Sequence, residues 1–132
     1  VISTVARDFK DLAGDLSVPV VMAAQINREA VPKDYQKTLR GKTYTDAADV
    51  IKTARPRQEN LREGGSEHEA DLILGLLSYA ADYQADEDFT VPDVTRLDVG
   101  LMKNRYGDPG RWIPLAYEGR FNYIRDFYEG EE

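Results

Sequence analysis

The sequence predicts an α/β domain in which parallel strands are followed by an antiparallel C-terminal hairpin. Three patterns carry this prediction: an amphipathic helix at the start of the chain, two unbroken apolar runs, and two apolar segments joined by a short turn near the end. Unbroken apolar runs are typical of strands covered on both faces, as in parallel sheets. A short glycine-containing turn between apolar segments indicates a hairpin.

The helix is indicated over residues 2–16. Apolar side chains recur there at steps of three and four residues, with charged residues between them, so that one face of the helix is apolar. The members of this apolar stripe are Ile2, Val5, Phe9, Leu12 and Leu16. We therefore expect the helix to bury the stripe.

Two buried strands are expected from the unbroken runs. The run VVMAA, residues 20–24, ends at Gln25, and the run LILGLL covers residues 72–77. Gly75 lies inside the second run, where a glycine is tolerated if another group packs closely against it.

A third strand and a hairpin complete the predicted sheet. Between residues 97 and 102, Leu and Val alternate with Asp98, Gly100 and Met102, which indicates a strand with two unlike faces. The segments 112–117 and 121–124 predict the hairpin, with Gly119 in its turn.

The connection over residues 28–62 is the basic part of an acidic chain. It contains nine Lys or Arg and five Asp or Glu, a local charge of +4 in a chain of net charge −7. A loop that faces an anion and a solvated surface segment would both give this pattern. Within it, YTDAADVIKTA, residues 44–54, predicts a short helix capped by Thr45 or Asp46.

Composition excludes several classes of protein. The 132 residues suffice for one ordinary core, so residues 1–132 are expected to belong to a single domain. The chain has no cysteine and one histidine, so no disulfide framework and no metal site is expected. No apolar run approaches the roughly 20 residues that cross a bilayer, and no secretion signal is present, which favours a soluble cytoplasmic protein.

Both ends of the chain carry further expectations. Val1 already lies within the predicted helix, which suggests a piece of a longer polypeptide. The acidic tail, residues 126–132, is expected to fray.

Four segments occur in an order that has a known counterpart. They are PVVMAAQINR, NLREGGSEHEADLILGL, LMKNRYGDPG and IPLAYEGRFNYI. In this order they resemble the last part of the RecA-like ATPase domain of replicative DNA helicases of the DnaB type, over most of the chain apart from residues 30–55. The resemblance implies the C-terminal portion of a RecA-like core in a ring of six subunits that hydrolyses ATP at subunit boundaries and draws single-stranded DNA through its centre.

The resemblance implies roles for three residues near the nucleotide. Gln25 matches the sensor of the terminal phosphate, a role that suits an amide because it can both donate and accept hydrogen bonds. Lys103 and Arg105 match a Lys-x-Arg pair that reaches the triphosphate held by the next subunit and stabilises charge that develops on its oxygens. The alternatives are a polar residue that ends a strand and two solvated cations.

The resemblance also implies a DNA-contacting loop. Arg62, Glu63 and Gly65 match the loop that lines the central channel, and Arg28 fits the family pattern after the glutamine. Adjacent glycines allow backbone amides to approach phosphate oxygens, although a plain surface turn has the same composition. Glu63 is expected to orient Arg62 or to accept from a loop amide. His68 needs no catalytic role.

The sequence departs from the family where nucleotide is held. No G-x-x-x-x-G-K-[ST] phosphate loop occurs, and the acidic strand end that holds Mg²⁺ is missing. ATP and Mg²⁺ are therefore expected to be bound by upstream parts of a parent protein, and the 132 residues alone are expected to be inactive. Two alternatives remain: an ATPase of the RadA or KaiC type, and a non-catalytic binding or assembly module that has lost its phosphate loop.

Overall fold

A computed structural model describes residues 2–25, 48–58, 66–78 and 93–128. Within these ranges, three helices precede a sheet of four strands. The helices are α1 (Ile2–Leu16), α2 (Ala48–Ala54) and α3 (Ser66–Glu69), and the strands are β1 (Leu72–Ser78), β2 (Val94–Asn104), β3 (Trp112–Glu118) and β4 (Tyr123–Asp126). The strands lie side by side in chain order, and each neighbouring pair is antiparallel.

The predicted hairpin is confirmed, but the predicted parallel strands are not. Strands β3 and β4 form the hairpin, and Asn122 in its turn has a positive φ of 53°. Every strand pairing among the described residues is antiparallel, including the pairing of β1 with β2. The apolar run of β1 does not reflect burial on both faces, because Leu72, Leu74 and Leu76 are exposed.

The strand predicted over residues 20–24 is absent. Residues 19–25 have no regular secondary structure, all of them are exposed, and Val21 is 95% exposed. A β-strand needs a neighbour that accepts and donates its backbone hydrogen bonds. None of the strands in the described ranges pairs with this segment. The apolar composition of VVMAA is thus compatible with a strand but does not supply the partner.

Helix α1 is confirmed, although the burial of its apolar stripe is not. The helix ends where Ser17 adopts a φ of 54°, and Val18 N donates to Ala13 O at 3.1 Å, a hydrogen bond that closes the last turn. The helix packs against α3, which has only four residues and is too short to cover a 15-residue helix. The exposed fractions of the stripe therefore reach 39% at Val5 and 61% at Leu16.

Helix α2 confirms the short helix predicted within residues 44–54. Ile51 is buried, whereas the predicted capping residues 45 and 46 lie outside the described residues. After the helix, Pro56 packs against the sheet at Gly75, where a Cβ would lie 3.0 Å from Pro56 Cγ and 3.0 Å from Trp112 Cη2. The close packing expected at Gly75 is therefore confirmed, and it holds α2 on the sheet.

The strand predicted over residues 97–102 is confirmed as part of β2, and both faces of β2 are covered over its middle. Leu97 and Asp98 point to opposite faces and are both buried, Asp98 completely. Arg96 Nε lies 2.6 Å from Asp98 Oδ1, and Arg55 Nη2 lies 3.5 Å from Oδ2. The Arg55 guanidinium stacks 5.1 Å from the centre of the Trp112 ring. Ion pairing thus allows a carboxylate to occupy a buried position in β2.

The sequence expectations about the basic region and the acidic tail stay predictions. Of the basic region 28–62, the structure describes residues 48–58, which form α2 and the turn after it. Of the acidic tail 126–132, Asp126 closes β4 and residues 129–132 lie outside the described residues. None of the described helices is long and apolar enough to cross a membrane.

Candidate functional site

The end of strand β2 projects beyond its neighbour β3. Pairing with β3 stops at Gly100, opposite Trp112, whereas pairing with β1 continues to Asn104. Leu101 N donates to Arg111 O at 2.8 Å, and Gly110 N donates to Leu101 O at 2.7 Å. These two hydrogen bonds close the base of the segment 102–109, in which Lys103 belongs to the last part of β2 and Arg105 follows the strand.

A β-bulge lies directly before Lys103. The register of β1 against β2 shifts between Ile73 and Leu74, which leaves Met102 without an opposite residue. Gln58 Nε2 donates to Met102 O at 2.8 Å and so satisfies a carbonyl group at the bulge. Because bulges change the direction of the side chains that follow them, the bulge contributes to the direction of Lys103.

Lys103 and Arg105 reach the same acceptor, the carbonyl oxygen of His68 at the end of α3. Lys103 Nζ lies 3.4 Å from His68 O, and Arg105 Nη2 lies 3.1 Å from it. Carbonyl groups in the last turn of a helix lack intrahelical partners and carry a partial negative charge, so they attract cations. The structure therefore brings the two predicted residues together, while their role in hydrolysis stays a prediction.

Asp71 provides a second anchor for Arg105. Arg105 Nη1 lies 2.6 Å from Asp71 Oδ1, and Arg105 N donates to Asp71 O at 2.9 Å. Lys10 of α1 joins the same group, since its Nζ lies 3.3 Å from Asp71 Oδ1 and 3.0 Å from Glu69 O. We call Lys10, Asp71, Lys103 and Arg105 the Asp71 cluster.

The Asp71 cluster is cationic and partly open to solvent. It combines three cationic side chains with one carboxylate, and the side chains of Arg105 and Asp71 are 37% and 45% exposed. An ion pair with this exposure contributes up to about 1 kcal/mol to stability. The chemical capacity of the cluster is therefore to attract and bind an anion.

The other predicted site residues are not joined to this cluster. Gln25 is exposed and is the last described residue before residue 48, and within the described ranges no hydrogen bond links it to Lys103 or Arg105. Arg28, Arg62, Glu63 and Gly65 all lie outside the described residues. Their predicted contacts with DNA stay predictions.

Asp71, Lys10 and the main chain of His68 belong to the site although the sequence patterns do not single them out. Asp71 has no such signal, because it precedes β1 whereas ligands of open α/β sheets generally bind at the carboxyl ends of the strands. Lys10 has none either, since it is one of several charged residues on the polar side of α1. The sequence singles out His68 only as the one histidine of the chain, whereas in the structure its main-chain carbonyl oxygen accepts from Lys103 and Arg105.

The described residues offer no site for a metal ion of their own. Among them, no group of three or more His, Cys, Asp or Glu is arranged to hold a cation. The carboxylate of Asp71 already binds Lys10 and Arg105. The resemblance assigns Mg²⁺ and the phosphate loop to upstream parts of a parent protein, and that assignment stays a prediction.

The similar curated proteins share one name, replicative DNA helicase DnaB. The chain is 32% identical over 129 residues to the replicative DNA helicase DnaB of Pasteurella multocida and 30% identical over 132 residues to that of Haemophilus influenzae. These matches cover 97% and 99% of this chain but 22% and 23% of the relatives, so the chain spans less than a quarter of their length. No family model matches.

A solved structure of an ATPase domain has the same fold. It matches with a TM-score of 0.60 and 24% sequence identity, covering 96% of this chain and 37% of that one. The match extends over nearly all of this chain. It supports the RecA-like ATPase fold that the sequence predicts, with the antiparallel sheet described above in place of the expected parallel strands.

Proposed function

Because this chain belongs to the family of DnaB-type replicative DNA helicases, we propose that it is part of an ATP-driven helicase that moves along single-stranded DNA and separates duplex strands. The observation that carries the proposal is the pairing of Lys103 and Arg105 on one carbonyl oxygen at the projecting end of β2. The pair stands at a partly exposed, cationic position that suits a triphosphate.

In this proposal the chain acts as the C-terminal portion of a RecA-like domain in a longer protein. The coverage of 22% of the DnaB of Pasteurella multocida supports a longer parent. The phosphate loop and the Mg²⁺ ligands would then come from upstream residues, because the sequence given contains no G-x-x-x-x-G-K-[ST] motif. Leu72, Leu74 and Leu76 form an exposed apolar row that further parts of the parent would cover.

Lys103 and Arg105 are proposed to act on ATP held by the neighbouring subunit of a hexameric ring. Negative charge spreads over the phosphate oxygens as the terminal phosphoryl group is transferred, and a guanidinium held in place stabilises that charge as it develops. The planar arginine side chain offers two donors in register, and lysine adds a compact charge.

The remaining predicted residues complete the proposal. Gln25 would sense the terminal phosphate in its own subunit, which is consistent with its separation from Lys103 and Arg105. Arg62, Glu63, Gly65 and Arg28 would contact the DNA backbone, with Glu63 orienting Arg62. Six copies of a basic loop around one axis would attract a strand despite the net charge of −7. The same proposal includes a cytoplasmic location.

Two alternatives are separable from this proposal. A RecA-like ATPase of the RadA or KaiC type would share the fold and the cationic pair but would not separate duplex strands. A non-catalytic assembly module would keep the subunit interface without hydrolysing ATP. The identity to DnaB helicases favours the helicase over both.

The proposal predicts two activities for the parent and neither for the isolated chain. The full-length protein is expected to hydrolyse ATP faster with single-stranded DNA and to unwind a forked duplex, whereas residues 1–132 alone do neither. The measurements are phosphate release and strand displacement, with a phosphate-loop lysine variant of the parent as the inactive control. Hydrolysis without unwinding would favour the RadA or KaiC type, and hydrolysis by residues 1–132 would contradict the assignment of the phosphate loop to the parent.

A second prediction concerns the proposed DNA contact of Arg62. Arg62→Ala in the full-length protein is expected to weaken single-strand binding and to reduce the slope of log affinity against log salt by about 1. Fluorescence anisotropy over a salt series measures both quantities. Lys52→Ala serves as the control, because Lys52 is an exposed cation on α2 outside the proposed loop. If the Arg62 variant had the same salt slope as the unchanged protein, Arg62 would not contact a phosphate of the DNA.

A further inference from the structure

We infer that Asp71 is a positioning residue for Arg105, an inference that rests on the proposed function. Asp71 holds Arg105 at two places, through its carboxylate at 2.6 Å and through its main-chain carbonyl at 2.9 Å. One residue therefore fixes both ends of the arginine, the backbone from which the side chain starts and the guanidinium in which it ends. No residue of the Lys-x-Arg motif itself provides this support.

The hydrogen bonds of Arg105 leave donors available for a ligand. A guanidinium has five N–H donors. Asp71 Oδ1 binds Nη1 and His68 O binds Nη2, which accounts for two of the five within the described residues. The side chain is also 37% exposed. Arg105 is thus held through two donors, and the remaining three can bind phosphate oxygens of a neighbouring subunit.

Holding the guanidinium in place matters because arginine is a flexible side chain. An unsupported arginine loses much of its rotamer freedom when it is fixed, and a small misplacement of a group that acts in the transition state costs about 10²-fold in rate. The contacts to Asp71 and His68 fix the side chain before a nucleotide arrives. Lys10 contributes indirectly, since it lies 3.3 Å from the same carboxylate oxygen.

The position of Asp71 in the chain also connects two proposed sites. Residues 59–65, which include the proposed DNA-contacting Arg62, Glu63 and Gly65, lead directly into α3, and α3 ends two residues before Asp71. His68 and Asp71, the acceptors for Arg105, therefore follow the proposed DNA loop by three and six residues.

The test compares kcat and KM for ATP hydrolysis in the full-length protein. Asp71→Ala is expected to lower the DNA-stimulated kcat by about tenfold to a hundredfold, because Arg105 acts only in the transition state, while KM changes less than about twofold. Asp71→Asn keeps an acceptor oxygen and is expected to lose less. Asp93→Ala is the matched control and is expected to leave kcat unchanged. Asp93 forms an exposed ion pair with Arg120, in which Arg120 Nη1 lies 3.7 Å from Asp93 Oδ1, and neither residue belongs to the Asp71 cluster.

A double variant separates positioning from a general structural role. If Asp71 acts through Arg105, then adding Asp71→Ala to Arg105→Ala causes no further loss in the rate constant of hydrolysis, measured under single-turnover conditions. Equal fractional losses in both backgrounds would overturn the inference, as would an Asp71→Ala kcat equal to that of Asp93→Ala. Loss of kcat with Arg105→Ala but not with Asp71→Ala overturns the role of Asp71 alone. Loss with neither overturns the proposed function of Arg105 as well.

Discussion

Replacing Arg105 by alanine in the full-length protein is expected to lower kcat for ATP hydrolysis by about 10³-fold or more and to change nucleotide affinity little. The magnitude follows from arginines supplied in trans to phosphoryl transfer, which contribute about 10³ to 10⁵ in rate. Affinity changes little because the guanidinium interacts most strongly with charge that develops during the reaction. Steady-state phosphate release measures kcat, and equilibrium binding of a fluorescent nucleotide measures affinity.

Mixed rings test whether Arg105 acts on the neighbouring subunit. A phosphate-loop variant and Arg105→Ala are each expected to be inactive alone, whereas the proposed ring, when mixed, would contain interfaces that combine an intact phosphate loop with an intact Arg105. Some hydrolysis is therefore expected on mixing. Arg105→Lys is the conservative control, and it is expected to remain strongly impaired because lysine lacks the planar pair of donors. Absence of any recovery in mixed rings would contradict action in trans.

Elements that depend on local sequence are predictable from the chain alone. The three- and four-residue spacing of apolar residues predicts α1, and Ile51 at the centre of a short amphipathic segment predicts α2. The turn around Gly119 predicts the hairpin of β3 and β4. In each case the information lies within a few residues, because helical periodicity and turn geometry are properties of neighbouring positions.

Elements that depend on distant partners are not predictable in this way. The run over residues 20–24 has strand-forming residues, yet a strand also requires a neighbour, and the described sheet supplies none there. The apolar run of β1 suggests a parallel strand, but an apolar run contains no information about strand direction. The alternation in β2 places Asp98 on a polar face. It does not show that Asp98 is buried, because its partner Arg55 lies 43 residues away in the chain.

The residues of the candidate site are also predictable only where the information lies close together in the sequence. The Lys-x-Arg spacing singles out Lys103 and Arg105, and their shared position at the end of β2 follows from that spacing. Their acceptors do not follow, since Asp71 lies 34 residues and His68 37 residues from Arg105 in the chain. Only the antiparallel pairing of β1 with β2 brings the start of one strand beside the end of the other.

Asp98→Ala is expected to have the largest effect on folding stability among the residues described. Asp98 is completely buried, and among its partners are two arginines, Arg96 and Arg55, whose side chains are only 15% and 25% exposed. Removing one partner of a buried ion pair costs about 3 to 5 kcal/mol, because the remaining charges are left uncompensated. Arg55 increases the cost, since its buried Nε already lacks a hydrogen-bond partner among the described residues.

Hydrogen exchange in the full-length protein measures this effect where it arises. A loss of about 3 kcal/mol corresponds to roughly a hundredfold faster exchange of amides in β2 and β3 that open together, since each 1.4 kcal/mol is a factor of about ten. Asp93→Ala is the control, because its ion pair is more than 70% exposed on both sides and contributes up to about 1 kcal/mol. Exchange rates in Asp98→Ala equal to those in Asp93→Ala would show that the buried carboxylate does not stabilise the sheet. A large difference would show that the sheet carrying Lys103 and Arg105 depends on the buried ion pairs of Asp98 with Arg96 in β2 and with Arg55, the residue after α2.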